Sequence, residues 1–167
     1  MSKKSKLIVL TIAIVVVFAV VFTYIETRPK TVEPTTLSSS QVSQALGNNW
    51  SSSRAWVLHL NGTIFPYLLS SIQVNFTFKQ NVLIVVLMYF NNSTGADAEY
   101  NAFQPVGYSA SLFNGNIDGH PFMYFNSSHG SDALMQYGQY VALILSNTFV
   151  FTLLQAKSMM QMQDEDM

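Results

Sequence analysis

The first apolar segment of the chain is continuous rather than periodic. Residues 7–25 carry no charge, and at about 1.5 Å per helical residue they would span roughly 28 Å, close to the hydrocarbon thickness of a bilayer. Lys3, Lys4 and Lys6 precede this run and are expected to hold residues 1–6 in the cytoplasm. The pattern predicts a single-pass membrane anchor with the remaining chain outside. A cleaved signal peptide is the alternative, but the run is long for one.

Three further regions follow the anchor. Residues 26–37 contain Pro29 and Pro34 and predict a stalk. Residues 38–157 are long enough for one core and predict a single extracytoplasmic domain. Residues 158–167 are acidic and rich in Met, and we expect them to form a frayed tail.

Within the domain, the dominant period is two. Residues 72–78 alternate between apolar and polar positions, and residues 82–90 form an uncharged run typical of a central strand. Residues 54–60, 108–113, 117–125, 140–145 and 148–154 are further predicted strands, with turns at Asn61-Gly62 and Asn114-Gly115. Pro66 and Pro121 are expected at edges or bulges. This spacing predicts a mainly β domain that resembles a β-sandwich.

An α+β domain with an antiparallel sheet is the alternative. It would make helices of residues 38–46, 95–103 and 149–160. Thr94-x-x-Asp97 matches a capping box for the second of these helices.

The Asn-x-Ser/Thr sequons support a location of the domain outside the cell. Six Asn residues begin an Asn-x-Ser/Thr sequon without Pro, more than chance predicts at this Ser and Thr content. These candidate glycosylation sites are Asn49, Asn61, Asn75, Asn91, Asn92 and Asn126. Asn91 and Asn92 overlap, so we expect that both rarely carry a sugar. The alternation of residues 72–78 predicts that Asn75 points to solvent.

Polarity in this region comes from amides and hydroxyls rather than from charges. Only Arg54, Lys79 and Lys157 are basic beyond Lys30, and the chain has no cysteine. A surface of this kind keeps its hydrogen bonds when carboxylates protonate, and it suits an acidic exterior such as that of an acidophilic archaeon. The sequence also lacks the means to form a disulfide, a thiolate nucleophile or an iron-sulfur cluster.

No sequence motif identifies a catalytic centre. The histidines lack metal-ligand spacing, and there is no nucleophile elbow, phosphate-binding glycine loop or basic tract, which argues against metal, nucleotide and nucleic-acid functions. Trp50 and Trp56 are expected in the core. At acidic pH the domain would become cationic and would favour small anions that stay ionised. The candidate anion contacts are Arg54, His59, Lys79, His120 and His129.

Part of the chain resembles a known family. The segment 60–66, with Asn61 and Pro66, is followed by two paired strands, Tyr89, and then Gly95, Asp97, Tyr100 and Phe103. Over residues 60–103 this order is similar to the small subunit of archaeal thiosulfate:quinone oxidoreductase, the DoxA family. The sequence departs from the pattern by one extra residue between Asp97 and Tyr100.

The resemblance implies a hetero-oligomeric membrane enzyme that couples thiosulfate into tetrathionate and passes the electrons to a membrane quinone. A chain without cysteine has no evident means of holding those electrons. The resemblance therefore implies that a caldariella-type quinone binds to a multi-span, DoxD-type large subunit. This chain would bind no cofactor itself, and its domain would position thiosulfate or stabilise the complex.

Two other classes of function remain open. A glycosylated, charge-poor β domain behind an apolar helix also suits a pilin or an adhesion subunit, although Lys6-Leu7 departs from the archaeal pilin processing signal. A non-catalytic accessory subunit of another respiratory complex is the second alternative.

Overall fold

The architecture is one antiparallel sheet with helices on both faces. A computed structural model describes residues 35–59, 67–103, 111–128 and 130–165. The helices are α1 (Ser39–Leu46), α2 (Ser93–Ala102) and α3 (Leu153–Glu165). The strands are β1 (Ser51–Ser52), β2 (Trp56–His59), β3 (Leu68–Phe78), β4 (Asn81–Phe90), β5 (Ser111–Ile117), β6 (His120–Asn126), β7 (Ser131–Tyr137) and β8 (Tyr140–Ser146).

The predicted anchor and the first part of the predicted stalk lie outside the described residues. Within the described ranges, no helix is long and apolar enough to cross a membrane. The predicted stalk extends too far, because Leu37 is buried in the domain at 2% exposure.

The prediction of a mainly β domain is confirmed, but the sandwich is wrong. All eight strands form one sheet in the order β1-β3-β4-β8-β7-β6-β5, and β2 also pairs with β3. Every pairing is antiparallel. Helices cover this sheet, which is the α+β arrangement that the sequence left as the alternative. Strands spaced about ten residues apart are also consistent with this single sheet, so spacing alone does not separate the two architectures.

The β5–β6 turn lies four residues later than predicted. Asn114 and Gly115 are inside β5, and the chain turns at Asp118-Gly119, between Ile117 and His120. Asp118 has φ 51° and Gly119 has φ 90°, as a two-residue type I′ turn requires. Asn-Gly and Asp-Gly are both typical hairpin turns, so the dipeptide alone does not select between the two positions. The observed pairing of Phe113 with Tyr124 places Phe113, Gly115 and Ile117 on the face that bears the larger core.

The larger core lies between one face of the sheet and helices α1 and α3. Its fully buried members include Phe76, Leu83, Leu87, Met135 and Ile144. On the opposite face, α2 covers a smaller core. Leu68 belongs to this second core although it is an even-numbered residue of β3 like Phe76, because a register shift between Leu68 and Ser70 moves it to the other face.

Helix α3 corrects two predictions at the C-terminal end. Residues 148–152 form no strand, and the residues predicted as a frayed tail continue α3 as far as Glu165. Met159 and Met160 are fully buried in the larger core. Gln163 is also fully buried, and its amide accepts from the Leu37 backbone N–H (3.1 Å) and donates to the Thr35 carbonyl (2.8 Å). The helix therefore holds the start of the domain in place.

A side chain caps the N-terminus of each of the three helices. Ser38 and Gln41 form a capping box at α1, and Thr152 and Gln155 exchange the same pair of hydrogen bonds at α3. At α2 the predicted Thr94–Asp97 box is wrong. The cap is Asn92, whose side chain accepts from the Gly95 N–H at 2.8 Å, so Thr94 lies inside the helix.

Strand β7 has no counterpart in the predicted strands. Its sequence is rich in Ala, Leu, Met and Gln, which favour helices, yet all seven residues are buried between β6 and β8. Gly130, just before it, lies so close to β8 that a Cβ atom would come within 1.9 Å of the Ser146 carbonyl oxygen. Only glycine permits this approach of the two backbones.

We expect Gly130→Ala to lower the free energy of unfolding by at least about 2 kcal/mol, since the backbone at Ser146 would have to move. Urea unfolding followed by circular dichroism measures the change. Gly138→Asn is the matched control, because a Cβ at Gly138 meets no atom within 4 Å and Asn tolerates its φ of 54°. Equal losses for the two variants would contradict the close approach.

We expect removal of the hydroxyl from two buried tyrosines to change the free energy of unfolding in opposite directions. Tyr137 donates to the Met160 carbonyl at 2.7 Å, whereas the buried Tyr100 hydroxyl has no hydrogen-bond partner among the described residues. Tyr137→Phe should lower the free energy of unfolding by about 1–2 kcal/mol, and Tyr100→Phe should raise it by about 1 kcal/mol. Urea unfolding of both variants tests the pair, and a loss at Tyr100→Phe would reveal a partner for that hydroxyl.

Candidate functional site

The structure separates the cationic side chains that the sequence proposes as anion contacts. Lys79 lies in the β3–β4 turn, and His120 begins β6 at the opposite end of the sheet. Arg54 is exposed between β1 and β2, and His59 ends β2 opposite Ser70. His129 lies outside the described residues. These four described side chains therefore form no common site.

Neighbouring groups already engage several cations. The Lys79 ammonium lies 5.2 Å from the centre of the Phe78 ring, and that of Lys157 lies 4.8 Å from the Phe113 ring. His120 approaches the Asp164 carboxylate at 3.9 Å, and its ring packs at a tilt of 50° against the Tyr137 ring, with centroids 5.1 Å apart. Arg54 is exposed and, within the described part of the chain, forms no ion pair with an acidic residue.

An acidic depression of about 460 Å³ includes Asp164, the carboxylate that His120 approaches. It lies between α1, the β5–β6 turn and α3, and it is lined by Gln44, Asp118, Ser158, Gln161, Met162, Asp164 and Glu165. Gln161 donates to the Asp118 carboxylate at 2.9 Å and so links α3 to the turn. Three carboxylates in one depression favour a cation over an anion at neutral pH. Across the described ranges, no group of three or more His, Cys, Asp or Glu side chains could hold a metal ion.

Tyr137 lies beneath this depression. Burial raises the pKa of its hydroxyl well above the usual range, and the nearby Asp164 charge raises it further. On the other face, burial raises the pKa of Tyr100 to about 12. Both phenols are therefore neutral donors and cannot serve as bases near neutral pH.

The residues after β4 that carry the family resemblance belong to α2 or directly follow it. A Cβ atom at Gly95 would come within 2.5 Å of the Tyr67 Cβ, so this position lets α2 approach the sheet closely. Asp97 accepts a hydrogen bond from the Gln136 side chain on β7, and Phe103 packs against Phe125 at 5.8 Å. In the structure these residues hold α2 against the face of the sheet that bears the smaller core. Asn61 and Pro66 lie outside the described residues.

Strand β2 presents an exposed apolar surface that the sequence reading missed. Trp56 is 70% exposed, which corrects its predicted place in the core, whereas Trp50 is buried as predicted. Val57 and Leu58 are also exposed, as are the nearby Tyr67 and Leu69 on the chain that enters β3. We call these five residues the β2 edge. The three consecutive apolar residues of β2, without alternation, are the sequence signal for such a surface.

Arg54 adjoins the β2 edge. A depression of about 340 Å³ beside it is lined by Arg54, Ala55 and Trp56, and His59 lies beyond Leu58 on the strand. Pairing of Trp56 with Gln73 and of His59 with Ser70 places the two side chains on opposite faces of the sheet. Arg54 therefore offers an exposed guanidinium beside an indole, and His59 does not share that depression.

We expect the free energy of unfolding to fall as pH rises above 10. Tyrosines in the unfolded chain ionise near pH 10, whereas native Tyr137 and Tyr100 stay protonated above it, so the native state binds more protons. The slope should reach roughly 1.4 kcal/mol per pH unit for each tyrosine. Urea unfolding at several alkaline pH values measures it, and Tyr137→Phe should flatten the slope. An unchanged slope in that variant would contradict the shift.

The comparisons with known proteins concern the fold. The chain matches no protein-family model, and no curated protein matches it. Among solved structures, the fold is similar to the extracellular domain of PknH from Mycobacterium tuberculosis, with a TM-score of 0.49 and 8% sequence identity. The match covers 78% of this chain and 93% of that one.

Proposed function

We propose that the chain is the small, membrane-anchored subunit of a thiosulfate:quinone oxidoreductase, and that its β2 edge binds the multi-span large subunit. The resemblance of residues 60–103 to the DoxA family and the apolar run at 7–25 support this assignment. The domain then lies outside the membrane. Thiosulfate oxidation to tetrathionate releases electrons to a membrane quinone, which the partner holds, since this cysteine-free chain has no evident carrier.

The exposure of β2 is the observation that carries the role in assembly. Trp56 and Leu58 expose 70% and 53% of their surfaces, and among the described strands β2 pairs only with β3. An exposed edge strand offers both apolar side chains and unpaired backbone groups, which suits addition of a partner segment. Large exposed aromatic residues are also the usual centres of binding energy in protein interfaces.

The position of the predicted anchor favours a partner that is itself embedded in the membrane. Nine residues, 26–34, separate this anchor from Thr35, the first described residue. Fully extended, they reach at most about 32 Å. The domain thus stays close to the bilayer, within reach of the outward-facing loops of a multi-span subunit.

Arg54 is the anion contact that we propose for thiosulfate. Its guanidinium is exposed, lies beside the Trp56 indole, and forms no ion pair with an acidic group within the described part of the chain. A guanidinium binds a planar pair of oxygens on an oxyanion well. In this proposal the anion binds where the domain meets its partner, and His120, which lies beside the Asp164 carboxylate, has no part in binding it.

Purification of the full-length tagged chain from its native membranes tests the proposal. The detergent eluate should contain a small multi-span protein and should reduce a quinone in the presence of thiosulfate. The double substitution Trp56→Ser, Leu58→Ser should reduce the recovered partner at least tenfold, because it removes the apolar side chains from the edge.

The matched control is Leu154→Ser. Leu154 is 78% exposed on α3, away from β2, so its substitution should leave partner recovery and activity unchanged. An equal loss for the control would indicate general destabilisation. An eluate without partner or activity would sink the assignment, and polymers of the chain alone would favour the pilin or adhesion alternative, since an open edge strand also supports self-association.

A further inference from the structure

The sequons cannot be ranked from the sequence, but in the structure their Asn side chains differ in exposure and in hydrogen bonding. Five of them lie in the described residues, namely Asn49, Asn75, Asn91, Asn92 and Asn126. Attachment of a glycan needs an Asn side chain whose amide nitrogen reaches solvent and the transferring enzyme. The exposure and the hydrogen bonds of each side chain therefore decide which sequons are accessible in the folded domain.

The Asn92 side chain caps the N-terminus of α2. Its backbone is extended (φ −156°, ψ 165°), and its side-chain oxygen accepts from the Gly95 N–H at 2.8 Å. This bond fixes the plane of the amide, and hence the direction of its nitrogen, in a half-buried position. Ser93 and Thr94, which complete its sequon, are already within the helix.

Asn91 is held differently. Its backbone N–H donates to the Tyr67 carbonyl at 2.8 Å, so the main chain is fixed while the side chain is exposed. Its exposed side chain can turn the amide towards solvent. The two neighbouring sequons thus present one accessible amide and one that caps a helix.

The remaining described sequons also separate into accessible and inaccessible side chains. Asn49 is exposed, but the side-chain oxygen of Asn126 is buried and has no hydrogen-bond partner among the described residues. Asn75 lies in the middle of β3 and is half-buried rather than fully solvent-facing as predicted. Its side-chain oxygen accepts from Gln73 at 3.0 Å, and its backbone carbonyl accepts from the Ser53 N–H at 2.7 Å.

We infer that Asn91 and Asn49 are the glycan acceptors of the described domain, and that the α2 cap excludes Asn92. The co-reactant is a lipid-linked, phosphate-activated oligosaccharide. The Asn91 amide nitrogen forms a bond to the anomeric carbon and loses a proton, while the bond from that carbon to the phosphate oxygen breaks and the lipid phosphate leaves. The inference rests on the proposed location of the domain outside the membrane, and it is independent of the thiosulfate reaction.

Two single substitutions separate the overlapping sequons. Ser93→Ala removes the Asn91 sequon and leaves that of Asn92 intact, whereas Thr94→Ala does the reverse. Both side chains are exposed and Ala favours a helix, so each variant should fold like the parent. The full-length proteins, produced in the native host, are digested and analysed by glycopeptide mass spectrometry.

The expected result is one glycan on the peptide that contains Asn91 and Asn92. It should persist in Thr94→Ala, and it should be lost from Ser93→Ala without transfer to Asn92. A sugar on Asn92 in any of the three proteins would overturn the inference, and so would sugars on other sequons with none on Asn91. Absence of sugar from every sequon would overturn it as well, while recovery of the multi-span partner and quinone reduction would still test the proposed function separately.

Discussion

Burial of one face of the sheet beneath α3 is the constraint on which most of the domain depends. Phe76, Leu83 and Ile144 form a fully buried apolar layer that a single sheet cannot shield from water by itself. Met159 and Met160 complete that layer from the helix, and flexible methionines suit the irregular space between a twisted sheet and a helix. Gln163 then ties the same helix to the backbone of Thr35 and Leu37, so the two ends of the domain are joined through one buried amide.

The second face depends on closer and fewer contacts. Helix α2 approaches the sheet where Gly95 meets Tyr67, and its Tyr100 and Phe103 pack around Phe125. The residues that resemble the DoxA family are thus, in the described part, those that a helix needs in order to lie on this sheet. For these positions, a shared pattern of this kind is readily explained by shared architecture, and it supports a common fold more directly than a common catalytic site.

Charge and exposure divide the surface into regions of different chemical character. The acidic depression around Asp118, Asp164 and Glu165 disfavours anions, although the proposed cation His120 approaches its Asp164. The β2 edge is apolar and adjoins Arg54. Assembly at β2 with an anion at its margin is therefore consistent with the charges, whereas a single cationic pocket built from all the proposed side chains is not.

The sequence by itself determined the strands whose alternation or apolar length has few alternatives. The spans 72–78, 82–90 and 140–145 all lie within observed strands, because burial of one or both faces dictates their pattern. It also contains signals for the caps at Ser38 and Thr152 and for the turn at Asp118-Gly119, although the predicted elements include none of the three. Only the tertiary structure decided the rest. Four of the seven residues of strand β7 favour helices, and its neighbours β6 and β8 override that preference through pairing and complete burial. Likewise, burial of Met159 in the larger core follows from which surfaces face each other after folding, and the acidic, Met-rich sequence around it does not encode that choice.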